Sequence, residues 1–71
     1  MIFLVPENDR LDRLTDRQRD CLSLVAQGFT SKEIGRQLGL SPSTIDNHIL
    51  AAMQVLDAPS RAAAARKLSS S

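Results

Sequence analysis

The sequence predicts an all-α domain of four helices, and three observations carry that prediction. Four hydroxyl N-cap signals, at Thr15, Thr30, Ser41 and Ser60, each stand ahead of a segment with helical character. Apolar residues recur at helical spacing, Ile34 with Leu38, then Ile45, Ile49, Ala52, Met53 and Leu56 on one face. Stop signals follow at Gly28, at Gly39 and at Asp57-Ala58-Pro59. The 71 residues make one domain. A chain of this size buries only about 60% of the surface exposed on unfolding. Its core rarely supplies more than about 3–5 kcal/mol, so self-association would help it.

Residues 1–13 read as an N-terminal arm. Ile2, Phe3, Leu4 and Val5 are apolar, Pro6 breaks the run, and the charged segment ENDRLDR follows. Phe3 or Leu4 is expected to cover part of the small core. The domain proper spans residues 14–68. Its first helix opens at the capping box Thr15-x-x-Gln18 and ends at Gly28. Cys21, Leu22, Leu24 and Val25 form its buried arc, while Asp16, Arg17, Arg19, Asp20 and Ser23 form a solvated charged face. Cys21 has no His or acid at an activating spacing and reads as a small core residue.

The second helix opens at another capping box, Thr30-x-x-Glu33, and stops at Gly39. The third starts at once, with Ser41 as cap and Pro42 at the first helical position, and runs over about 42–56. Two helices joined by about three residues, meeting at a side-chain-free Gly35, read as a helix-turn-helix. Ser60 caps a fourth helix from Arg61 to about Leu68, where Ala62 to Ala65 give high helix propensity and a low-relief surface. Residues 69–71 read as a frayed tail.

In order and at family spacing, several motifs resemble the LuxR-type (FixJ/NarL-like) DNA-binding domain. They are Leu14-Thr15-x-Arg17, Gly28, Lys32-Glu33-Ile34, Leu38-x-Leu40-Ser41, Thr44-Ile45-x-x-His48 and Ser60-Arg61-x-x-Ala64. The resemblance implies a four-helix domain whose third helix enters the major groove and whose fourth often pairs with its twin. Most relatives carry a receiver or ligand-sensing domain ahead of this one, so the chain reads as the stand-alone kind. It departs from the family at Gln18, usually Glu, and at Asp46 and Val55, where basic residues are common. No Lys or Arg occurs from Gln37 to Ser60, which bears on DNA affinity.

With the apolar stripe of helix three turned inward, Ser43, Asp46, Asn47, Leu50 and Gln54 face out as candidate base contacts. Asn47 and Gln54 carry the donor and acceptor that match adenine, Asp46 can accept from a cytosine amino group, and Leu50 can meet a thymine methyl. The family resemblance implies base contact at Asp46, Asn47 and Leu50. The competing reading is a polar face in water, with Asp46 beside the positive end of its helix. Lys32, Arg36, Ser41 and Thr44 are candidates for phosphate contact. Here too a plainer reading stands, with Glu33 pairing with Arg36 and the hydroxyls acting only as caps. Ala62, Ala64, Ala65 and Leu68 are the expected dimer interface.

Several functions are excluded. Ile2 to Val5 is too short for a membrane span or a signal peptide. One cysteine forms no internal disulfide and fits a reducing cytoplasm. His48 is the single histidine and reads as a structural imidazole; no metal site, cofactor loop or nucleophile–base pair is present. The expectation is a cytoplasmic bacterial transcriptional regulator that binds double-stranded DNA as a homodimer and is not an enzyme. Two rivals are an interaction protein forming mixed dimers with another LuxR-type regulator and, less favoured, a sigma-factor promoter-reading region.

Overall fold

The computed structural model describes residues 13–69. The expected arm, up to residue 12, and the last two serines lie outside the described residues. Four helices follow in order: α1 Asp16–Ala26, α2 Ser31–Leu38, α3 Pro42–Leu56 and α4 Arg61–Ser69. The described residues contain no strand. Ser69, expected in the tail, is the last residue of α4.

Each helix begins where its cap dictates. Both capping boxes close. The Gln18 N–H donates to Thr15 Oγ1 at 3.1 Å, and Gln18 Oε1 accepts from the Thr15 N–H at 3.0 Å. The Glu33 N–H donates to Thr30 Oγ1 at 3.2 Å, and Glu33 Oε1 accepts from the Thr30 N–H at 2.9 Å. Ser41 Oγ accepts from the Thr44 N–H at 3.2 Å, and Ser60 Oγ from the Ala63 N–H at 3.1 Å. Such caps satisfy donors that a helix cannot pair internally. The stops are as local. Gly39 takes φ 73°, a left-handed conformation open to glycine, and its N–H returns to the Gly35 carbonyl. Asp57 ends α3 at φ 52°, one of the few side chains that tolerates that region.

One core joins all four helices. Cys21 and Leu22 of α1, Ile34 of α2, Ile45 and Ala52 of α3 and Ala64 of α4 are fully buried, with Leu14, Ile49 and Leu56 nearly so. Leu24, Val25, Phe29, Leu38 and Met53 pack around them half-buried. Burial pushes the Cys21 thiol up, which suits a core residue and not a nucleophile. No polar or charged side chain among the described residues is buried. No described helix is long and apolar enough to cross a membrane.

Gly35 is itself buried, and a Cβ there would collide with the Leu40 carbonyl oxygen. The turn between α2 and α3 therefore folds back onto the α2 backbone, held by the Leu40 N–H donating to the Gly35 carbonyl at 2.9 Å. Glycine at this position permits a closer approach than the helix-to-helix contact the sequence implies. The close neighbour is the backbone of the turn.

Candidate nucleic-acid interface

Because Ile45, Ile49, Ala52 and Leu56 are drawn into the core, the opposite face of α3 is committed to solvent. Ser43, Asp46, Asn47, Leu50 and Gln54 are all exposed along it. Leu50 is 53% exposed, and no other large apolar side chain among the described residues is comparably bare. His48, beside the inward stripe, is half-buried.

On α2, Lys32 and Arg36 are exposed, and neither closes a salt bridge among the described residues. Glu33 is engaged by the cap. Its carboxyl lies below the usual range chiefly because it accepts from the Thr30 backbone N–H; the charge of Arg36 adds a smaller pull. Arg36 thus keeps its donors for another partner. Ser41 and Thr44 cap α3, with their hydroxyls 2.9 Å apart. The capping duty leaves the exposed side of Ser41 open to solvent and Thr44 half-buried.

Asp46 has partners that its neighbours in sequence do not supply. The Ser31 hydroxyl donates to Asp46 Oδ1, and Arg61 Nη2 donates to the same oxygen at 3.0 Å and to Ser31 Oγ at 2.9 Å. Ser31 is the first residue of α2 and Arg61 the first of α4, so side chains from the starts of two helices meet at the carboxylate. The Ser31 hydrogen bond, then the Arg61 pair, hold the Asp46 carboxyl below its ordinary range. A carboxyl lowered in the folded state adds stability above its unfolded pKa of about 3.9 and loses it as pH falls through the lower folded value. The melting temperature of Asp46→Asn should accordingly lie below that of the parent at neutral pH and converge with it in strong acid. A gap that stays constant across a melting series from neutral pH to about pH 2 would show that the carboxylate is not the stabilising group.

Ser31 and Arg61 were not legible as site residues, since they lie 15 residues either side of Asp46 and no periodicity links them. The one signal was the acid itself, on a face where a cation is usual. The expected dimer residues are divided by the fold. Ala64 and Ala65 are buried against the subunit's own core, because α4 packs chiefly on α1. Ala62 is exposed and Leu68 half-buried. Ala62 and Ala65, with Val25, Ala26 and Arg66, line a shallow groove between α1 and α4. Lys67 ties the same helix to the end of α3, donating to the Leu56 carbonyl at 3.1 Å.

Comparison with known proteins covers nearly the whole described segment. Residues 12–68 match the family described as bacterial regulatory proteins, luxR family. Spore germination protein GerE of Bacillus subtilis is 42% identical over 55 residues, 78% of this chain and 74% of GerE. Nitrate/nitrite response regulator protein NarL of Escherichia coli K12 is 38% identical over 55 residues, 78% of this chain but 26% of NarL. Transcriptional regulatory protein UhpA of the same organism is 39% identical over 59 residues, 83% of this chain and 30% of UhpA. The chain thus spans under a third of NarL and UhpA and about three quarters of GerE. No solved structure matches it significantly.

Proposed function

Because the chain belongs to the luxR family of bacterial regulatory proteins, we propose that it regulates transcription by binding double-stranded DNA, with α3 laid in the major groove. The observation that carries this reading is the outward row of α3. An exposed Leu50 stands among Ser43, Asp46, Asn47 and Gln54 on the second helix of a helix-turn-helix. Leu50 gains little from folding where it stands, and its exposed side chain is open to burial against a base edge. The amides offer adenine its donor and acceptor, and the leucine offers a thymine methyl an apolar partner. Lys32 and Arg36, without a salt bridge among the described residues, and the hydroxyls at the start of α3 supply the phosphate contacts that set its register.

Readers and positioners are separable by experiment. Asn47→Ala should cost about 1–3 kcal/mol at one base position and relax preference there. Lys32→Ala should weaken all sequences alike and reduce the salt slope by about one per subunit. Mobility shifts on selected and random duplexes across a salt series measure both. Equal, sequence-blind losses for the two variants would show that α3 does not read bases.

In this reading self-association uses the edge of α4 around Ala62 and Leu68, with Ala65 at the margin of the groove. A small core gains from a partner by mass action. In a dimer, preferred half-sites would lie about one helical turn, or 10 bp, apart. The rival reading, a partner-docking protein, draws on the acidic Asp46 and on the missing Lys and Arg between Gln37 and Ser60. The Arg61 pair takes up the charge of Asp46 and weakens the first of these supports.

A further inference from the structure

We propose that Ser31 and Arg61 are positioning residues that turn Asp46 into a reader of cytosine, so that the half-site bound by α3 carries a C·G pair at that position. The inference rests on the seating of α3 in the major groove proposed above. A bare carboxylate there would be repelled by the phosphates on both sides. In this chain the Arg61 guanidinium, 3.0 Å away, neutralises it without covering it: the Asp46 side chain remains 59% exposed.

The geometry also says which oxygen is left. The Ser31 hydroxyl and Arg61 Nη2 both donate to Oδ1, and no hydrogen bond among the described residues engages Oδ2. Arg61 Nη2 donates to Ser31 Oγ as well, so the three side chains close on one another. An aspartate in solution turns among rotamers; this one is held by residues from two other helices, and ordering it again on binding costs little. The free Oδ2 is an acceptor with no donor of its own. In the major groove, guanine and thymine present acceptors, and the adenine amino group lies beside the N7 acceptor. Cytosine presents an amino donor alone. An immobilised acceptor therefore selects cytosine, whereas the amides of Asn47 and Gln54 suit adenine.

The test is selection of bound sequences from a random duplex pool by the wild-type chain, Asp46→Asn, Ser31→Ala and Arg61→Ala. Helicity and melting temperature are checked for each. All three side chains are at the start of a helix or on an exposed face, away from the core. The wild type should enrich cytosine at one position about fivefold, the factor that corresponds to about 1 kcal/mol of discrimination. Asp46→Asn should abolish that enrichment. Ser31→Ala and Arg61→Ala should blur the same position and leave the preferences set by Asn47 and Gln54 in place. A merely structural role would instead blur every position together, which would overturn the proposal. So would a wild-type cytosine preference that survives Asp46→Asn, Ser31→Ala or Arg61→Ala, or defined half-sites with no cytosine preference at all. Failure of the wild type to retard any duplex at low salt would be a distinct result: it would overturn the seating of α3 and this inference with it.

Discussion

Gly35→Ala should remove about half of the stability of this domain. The added methyl meets the Leu40 carbonyl oxygen, a backbone atom that cannot rotate away as a side-chain tip would. The turn is pinned from both sides: the Gly39 and Leu40 N–H groups donate to the Gly35 carbonyl, and Ser41 caps the helix that follows immediately. Relief therefore requires α3 to move off α2, which would open the core that Ile34 and Ile45 share, both fully buried. Overpacking of this kind typically costs about 1–3 kcal/mol, against about 3–5 kcal/mol for a core of this size. In a small domain 1 kcal/mol shifts the melting temperature by about 4–8 °C. A thermal melt by circular dichroism should thus show a fall on the order of 10 °C. Exposed Gln37→Ala, on the same helix, serves as the control and should stay within about 0.5 kcal/mol of the parent. A Gly35→Ala protein that melts with the parent would contradict the close approach of the turn to the α2 backbone. DNA binding should fail with the fold, since the turn sets the angle between α2 and α3.

A larger loss is expected from a carboxylate at residue 64. Ala64 is fully buried among the side chains of α1 and α3, and no cation is buried with it. An uncompensated buried charge costs about 3–5 kcal/mol, the whole stability of such a core. Ala64→Glu should therefore be largely unfolded at 25 °C and neutral pH, with lost helical signal. Ala62→Glu, two residues earlier and exposed, should keep the helical signal and the melting temperature of an unassociated subunit. Its effect, if α4 forms the seam between subunits, is on sedimentation alone, where it should shift dimer toward monomer. The two variants together separate folding from association. A well-folded Ala64→Glu would contradict the burial of α4 on α1, and an unchanged dimer in Ala62→Glu would move the seam elsewhere.

The same division between near and far interactions governs how much of this molecule its sequence disclosed. Helix starts and stops were legible because capping is a matter of four residues. Thr15 with Gln18, Thr30 with Glu33, Ser41 with Thr44 and Ser60 with Ala63 each close within one turn. The inward stripe of α3 was legible because a helix has a fixed period, and burial of Ile45, Ile49, Ala52 and Leu56 follows it. The outward row from Ser43 to Gln54 is the complement of that stripe, and so are its chemical possibilities.

What only the tertiary structure decided are matters of distance across the fold. Ala62, Ala64 and Ala65 are alike in sequence, and nothing local says which of them α1 covers; docking of α4 buries two and leaves one exposed. The neighbour of Gly35 is the carbonyl of Leu40, a position set by the turn's path rather than by either helix. Asp46 looked like a charge out of place because its partners, Ser31 and Arg61, each lie 15 residues away. A single turn of helix cannot span that interval, and the pairing exists only because the starts of α2 and α4 are brought beside α3. Local hydrogen bonds determine where the helices are, and the packing of their apolar faces determines which polar groups meet.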